Sequence, residues 1–190
     1  TIIEMAKEKL IPIEPKTKSS FQKKFKKQVH QGIAGYFSDI VTLGLEKLIE
    51  KAFENSALPT LVILDGIQDP QNLGAIIRSA ETLGIQGMIL SKHGTSSLTE
   101  TVAKCSSGAI EYLPISRVNN LVRCVGQLKE AGFWIAGVVP DGETLCHHYQ
   151  FNTPVALVIG GEGKGIRPLP RHLHVRKESH RRLECVPFQG

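Results

Sequence analysis

No stretch of the 190-residue sequence approaches the roughly 20 consecutive apolar residues that a membrane-spanning helix needs. No secretory leader is visible, so a cytoplasmic, membrane-free protein is the expectation. Cysteine is scarce: Cys105, Cys124, Cys146 and Cys185 form no C-x-x-C pair. That argues against a zinc ribbon or a dithiol redox site and for reduced thiols. Cys146-His147-His148, with His172, His174 and His180, matches no structural zinc spacing, so no metal is expected. The single tryptophan, Trp134, sits inside an apolar run, where a core position is expected rather than a base-stacking one. Internal repeats and low-complexity runs are absent as well.

What is present first is a mild positive excess: 23 Lys and Arg against 18 Asp and Glu, a formal net charge of +5. This is compatible with a nucleic-acid partner without requiring one. The distribution says more. Six lysines fall between Lys16 and Lys27, and a second basic segment runs from Arg167 to Arg182. Lys23, Lys24, Lys26, Lys27, Arg171 and Arg176 are therefore candidate RNA-backbone contacts, with a solvated face as the plain alternative for each cluster. An apolar content of 41% suffices for a real core, and the length suits one α/β domain plus an appendage.

Residues 1–37 read as part of a small α/β module. Thr1 to Lys9 suits the end of a helix, Leu10 to Ile13 a short strand, Phe21 and Phe25 a basic helix, and Val29 to Phe37 a strand. A module this small cannot hold a full core, so the sequence is expected to start partway through a domain. Residues 38–59 form a linker with an amphipathic helix, its apolar face built from Leu45, Leu48, Ile49, Ala52 and Phe53. From Thr60 onward strands and helices alternate. Strands are expected at Leu61 to Leu64, Gly87 to Leu90, Ala109 to Leu113, Phe133 to Val139 and Val155 to Ile159. A short helix is expected at Ser97 to Cys105, and a firm one is marked by Val118, Leu121, Val122, Val125 and Leu128, with Gly132 as its C-cap. This alternation implies an α/β fold, a parallel sheet with helices on both faces.

The central stretch is Leu61 to Gly84, LVILDGIQDPQNLGAIIRSAETLG. A buried strand gives way to a polar loop and then to a helix whose Leu73, Ile76, Ile77, Ala80 and Leu83 share one face. Arg78 lies almost opposite that face. Asn72 sits near the helix start, where free backbone N–H groups favour anions. Each residue alone has an ordinary structural reading as a turn, a cap or a surface charge. Together they stand near the carboxyl end of a strand, where open α/β sheets carry ligand sites.

The second motif is Val155 to Pro168, VALVIGGEGKGIRP. A strand runs into Gly160, Gly161, Glu162, Gly163 and Gly165, a loop whose backbone can approach a ligand closely. It is not a phosphate-binding P-loop, because Lys164 is followed by Gly165 rather than Ser or Thr. Nor does it open a helix after the first strand, as a dinucleotide fingerprint would.

These residues resemble the SpoU family of knotted RNA ribose 2′-O-methyltransferases, in the SPOUT superfamily. Asp65-Gly66, Asp69-Pro70-x-Asn72-Leu73-Gly74, Arg78-Ser79-Ala80 and Gly84 match that family's first motif. Leu157 to Gly165 matches its second, and Val186-Pro187-Phe188-x-Gly190 resembles the start of its third. The resemblance covers residues 60–190, the methyltransferase domain. The family's third motif continues as Ser-Leu-Asn, and the sequence stops at Gly190, before it. His30-Gln31-Gly32 looks like the end of the ribosomal-protein-L30-like substrate domain, so residues 1–37 are read as part of that RNA-binding domain.

The resemblance implies a deep trefoil knot, a homodimer and S-adenosylmethionine as cofactor. It places the cofactor against Gly137, Val138, Gly160, Gly161, Ile166, Val186 and Phe188. It makes Arg78, Asn72 and Glu162 catalytic, with Arg78 gripping the phosphate beside the target ribose. A literal base role suits Arg78 poorly, because guanidinium is effectively always charged. The implied substrate is RNA, ribosomal more than transfer RNA, and a guanosine of the large subunit above all. A transfer-RNA methyltransferase of the same family and a catalytically inactive RNA-binding homologue are the alternatives.

Overall fold

The computed structural model describes residues 1–26, 32–36, 39–139, 144–145, 151–161, 165–166 and 184–187. The chain divides into two compact units, Thr1–Asp39 and Ile40–Gly190.

In the first unit, α1 (Ile2–Glu8) starts from a capping box in which Thr1 accepts from the Glu4 N–H and the Glu4 side chain returns to the Thr1 backbone. Thr17 caps α2 (Lys18–Lys24), the expected basic helix. The strand expected at Leu10 to Ile13 does not form. Leu10 takes a left-handed φ of 55°, and the Ile11 N–H folds back onto the Ala6 carbonyl at 2.8 Å, closing the end of α1. Nor do the described residues Gly32 to Tyr36, within the expected Val29 to Phe37 strand, form one.

The second unit carries a seven-stranded sheet whose spatial order is β3-β2-β1-β6-β4-β7-β5. Its strands are β1 (Thr60–Asp65), β2 (Gly87–Ser91), β3 (Ile115–Val118), β4 (Trp134–Val139), β5 (Thr144–Leu145), β6 (Val155–Gly160) and β7 (Glu184–Pro187). The strands β3, β2, β1, β6 and β4 run parallel, as the alternation implies. Two short strands that the sequence did not reveal, β7 and β5, add an antiparallel edge beyond β4.

Helices cover both faces. One face packs under α3 (Leu45–Asn55) and α6 (Leu121–Glu130), with Leu48, Ile63, Ile89, Leu128, Ile135 and Val158 fully buried. The other packs under α4 (Pro70–Thr82) and α5 (Glu100–Cys105), with Leu64, Leu73, Ile77, Met88 and Leu90 at its centre. Alternate residues of β1 and β2 go to opposite faces, so these strands read as continuous apolar runs. Cys124 lies in the first core, where burial pushes its thiol up to about 12, so it stays protonated and unreactive. Among the described residues no helix is long and apolar enough to cross a membrane.

Two further expectations need correction. Ala109 to Leu113 is not a strand: residues Ala109–Glu111 form a 3-10 turn, and the third strand is Ile115–Val118. Ser107 and Gly108 both take left-handed φ, 51° and 86°, and wind the chain into that turn. Trp134 is not core but 37% exposed. It begins β4, and β7 covers that strand only from Ala136 onward.

Candidate active site

Three loops meet at the carboxyl end of the sheet. The first follows β1. Its Asp65 is 1% exposed, and Gly66 turns the chain with a φ of 83°. Asp69 then caps α4, its Oδ1 accepting from the Gln71 N–H at 2.8 Å, with Pro70 at the first helical turn.

The second loop follows β6, the parallel neighbour of β1, in a register that sets Gly160 beside Asp65. The Gly161 N–H donates to the Asp65 carbonyl at 2.8 Å, and the Gly165 N–H returns to the Gly161 carbonyl at 3.0 Å. A Cβ on Gly160 would stand 2.1 Å from Gly165 C and 2.2 Å from Ile166 N. One on Gly161 would stand 2.3 Å from the Gly66 oxygen. The glycines are thus required by the chain itself: they let one loop close on itself and on its neighbour. The sequence suggested room for a ligand, but the space beside these two Cα atoms is filled by protein backbone.

The third loop follows β2. Thr95, buried, accepts from the Gly66 N–H on its Oγ1 at 3.2 Å, and the Ser96 N–H donates to the Ile67 carbonyl at 2.8 Å. Sequence reasoning missed Thr95. Its only signal is a polar loop after a strand end, and its partner lies 29 residues away. Thr95→Val keeps the shape but leaves the Gly66 N–H without its acceptor, a loss of about 1–3 kcal/mol. The expected outcome is a lower melting temperature and weaker cofactor binding, both restored in Thr95→Ser. Thermal melts and calorimetry check it, and a valine variant matching the wild type in both would remove Thr95 from the site.

Of the expected cofactor residues, β4 and its neighbours gather several. Gly137, buried, pairs with Val158 on one side and with Val186 of β7 on the other. Val138 pairs with Ile159 and Cys185. Ile166 is half-buried against the first core, next to the Gly160 turn. Glu162 and Phe188 lie outside the described residues, as do Lys27, Arg171, Arg176 and the Cys146-His147-His148 group. Lys23, Lys24 and Lys26 are described within the first unit, at or just beyond the end of α2.

The two remaining catalytic candidates stand apart from the glycine turns. Asn72 is half-buried in the first turn of α4. Arg78 is exposed six residues on, which on an α-helix is about 9 Å further along the axis and about a third of a turn around it. Among the described residues its guanidinium makes no hydrogen bond or ion pair. Asp65, Gly160 and Gly161 therefore share one pole of the sheet, with Gly137 two residues short of it in the register, and Arg78 projects from the helix leading away from it.

Comparison with known proteins identifies the family. Residues 59–177 match the SpoU rRNA methylase family. An uncharacterised tRNA/rRNA methyltransferase of Synechocystis is 47% identical over 137 residues, covering 72% of this chain and 36% of that one. A Staphylococcus haemolyticus protein named for the TrmH family of tRNA/rRNA methyltransferases is 38% identical over 168 residues, covering 88% of this chain and 67% of that one. The chain thus spans between about a third and two thirds of these relatives. Among solved structures, the SpoU methyltransferase AviRb of Streptomyces viridochromogenes, in complex with AdoMet, superposes with a TM-score of 0.50 at 30% identity, over 55% of this chain and 42% of that one. An AdoMet-bound rRNA methyltransferase of Sinorhizobium meliloti shares the fold, with a TM-score of 0.60 at 22% identity over 79% of this chain and 55% of that one.

Proposed function

Because the chain belongs to the SpoU rRNA methylase family, we propose that it methylates a ribose 2′-hydroxyl of RNA with S-adenosylmethionine, its substrate a guanosine of large-subunit ribosomal RNA. The observation that carries this reading is the backbone lock between Gly161 and Asp65, which joins two distant motifs at the ligand-binding end of a parallel sheet. The pole suits such a cofactor. It offers loop backbone beside half-buried Val138 and Ile159, strand neighbours that can take an adenine, with Ile166 half-buried against the other core. Bound there, S-adenosylmethionine supplies an activated methyl group on a sulfonium.

The protein's share is binding and orientation. Gly137, Val138, Gly160, Gly161, Ile166, Val186 and Phe188 hold the cofactor. Arg78 grips a phosphate next to the target ribose with its planar fork, and Asn72 and Glu162 orient the ribose. Fixing the hydroxyl in a near-attack position can supply roughly 7–11 kcal/mol of a barrier. The working state is a homodimer of chains that each carry a deep trefoil knot near the cofactor loops, and residues 1–37 belong to an RNA-binding substrate domain. His30-Gln31-Gly32 favours ribosomal over transfer RNA as acceptor.

The test is to incubate the full-length protein with methyl-labelled cofactor and, separately, total ribosomal and total transfer RNA, then map the labelled ribose. Label in a large-subunit guanosine supports the whole reading, and label in transfer RNA alone moves the substrate. Cofactor binding without transfer to either RNA would leave a binding homologue.

A further inference from the structure

Arg117 is absorbed by neither glycine motif. It is the third residue of β3, and its Nε is buried with no hydrogen-bond partner among the described residues. A buried guanidinium N–H without an acceptor costs free energy, and a side chain held that way gains by turning toward an anion. Two further cations flank the same end of β3: Lys92 at the end of the neighbouring strand and Arg123 on α6, which covers the sheet face opposite the one Arg117 shares with Leu90 and Ile115. Lys92 follows β2 directly, and its N–H donates to the Val118 carbonyl at 2.8 Å, so it lies beside the end of β3. Arg123 is exposed in the first turn of α6, where its N–H is capped by Asn120 Oδ1 at 3.0 Å. Neither residues 91–99 nor residues 113–129, the two segments that hold these cations, contain an Asp or Glu. The two segments are therefore positive in themselves; the chain alongside β3 adds one exposed acid, Glu46 in the first turn of α3, three residues after the Leu43 bridge.

The place of these cations in the fold matters as much as their charge. The carboxyl ends of β2 and β3 lie at the same pole as Asp65 and Gly160, and β3 is two strand spacings, about 10 Å, from β1. We infer that Lys92, Arg117 and Arg123, set around the carboxyl end of the outer strand β3, form a second RNA-backbone site that takes successive phosphates of the substrate strand as it passes that edge, to one side of the target nucleotide. This rests on RNA being the substrate, as proposed above. Guanidinium forks match phosphate oxygens, and contacts of this kind fix register without reading sequence.

The salt dependence of RNA binding tests it. A fluorescein-labelled RNA hairpin is titrated with the full-length protein by anisotropy at several salt concentrations. Each lost phosphate contact lowers the slope of log affinity against log salt by about 0.7–0.9. The triple variant Lys92→Gln, Arg117→Gln, Arg123→Gln is expected to lower it by about 2–3, and exposed Lys92→Gln alone by about 1. Arg117→Lys keeps the charge and should keep the slope. Cofactor affinity, read by calorimetry, should not change in Lys92→Gln or Arg123→Gln. Wild-type slopes in Lys92→Gln, Arg123→Gln and the triple variant, with RNA methylation intact, would overturn this site alone. A wild-type protein that does not bind the hairpin and methylates no RNA would overturn the RNA reading with it.

Discussion

Gly161→Ala should unseat the cofactor and loosen the fold together. Its new Cβ would meet the Gly66 oxygen at 2.3 Å and the Gly66 carbon at 2.9 Å, both backbone atoms of the neighbouring loop. A flexible side chain could swing clear of such a clash, but backbone cannot. The Gly161 N–H is at the same time bound to the Asp65 carbonyl, so the loop can withdraw only by giving up that bond. Overpacking costs about 1–3 kcal/mol, and the lost hydrogen bond about 1 more. For a chain of this size the total corresponds to a fall in melting temperature of roughly 4–16 °C. Cofactor affinity should fall at least about tenfold, or 1.4 kcal/mol, because the two loops part at the pole where it is proposed to sit. Gly126→Ala is the control. Gly126 lies inside α6 with nothing within 4 Å of an added Cβ, so alanine there should raise stability by about 0.5–1 kcal/mol. Native melting and native cofactor affinity in Gly161→Ala would show that the two loops do not need each other.

That the two glycine motifs meet could be expected from sequence, because each follows an apolar run of strand length and turns on glycine, at Gly66 in one and at Gly160 and Gly161 in the other. How they meet could not. The contact of Gly161 with Gly66 depends on β6 inserting beside β1, between it and β4, an order that no local pattern encodes. Periodicity found α3, α4 and α6 and the buried strands β1, β2, β4 and β6, where one repeat dominates. It failed at β3, the outermost strand of the ladder, whose Ser116 and Arg117 interrupt the apolar run; among the described residues its far side pairs only at the Leu43 bridge. The apolar Ala109 to Leu113 nearby packs as a turn against α4 and so resembled the strand it is not. The antiparallel strands β5 and β7 are too short for any repeat to register. At Leu10 the same limit applies: a left-handed φ on leucine is a tertiary outcome, invisible in residue preference.

Arg78→Ala is expected to remove methyl transfer while sparing everything else. The side chain is exposed and makes no hydrogen bond or ion pair among the described residues, so its loss should leave the melting temperature unchanged. It also lies about a helical turn and a half from the first turn of α4, away from the glycine loops, so cofactor affinity should hold. If Arg78 positions a phosphate beside the reacting hydroxyl, the turnover rate should fall by about 10²–10³, the range found when one preorganised charge-stabilising donor is removed. Arg78→Lys separates charge from shape. An ammonium keeps the attraction but not the planar two-pronged grip, so partial activity is expected. The pH profile adds a further distinction. Guanidinium does not titrate in the working range, so a positioning arginine contributes no limb to the profile, and substitution should lower the curve without moving it. A curve that moves would assign Arg78 to proton transfer through a neighbouring group. Intact turnover at saturating cofactor would take it out of the reaction altogether and leave the exposed face of α4 without a chemical role.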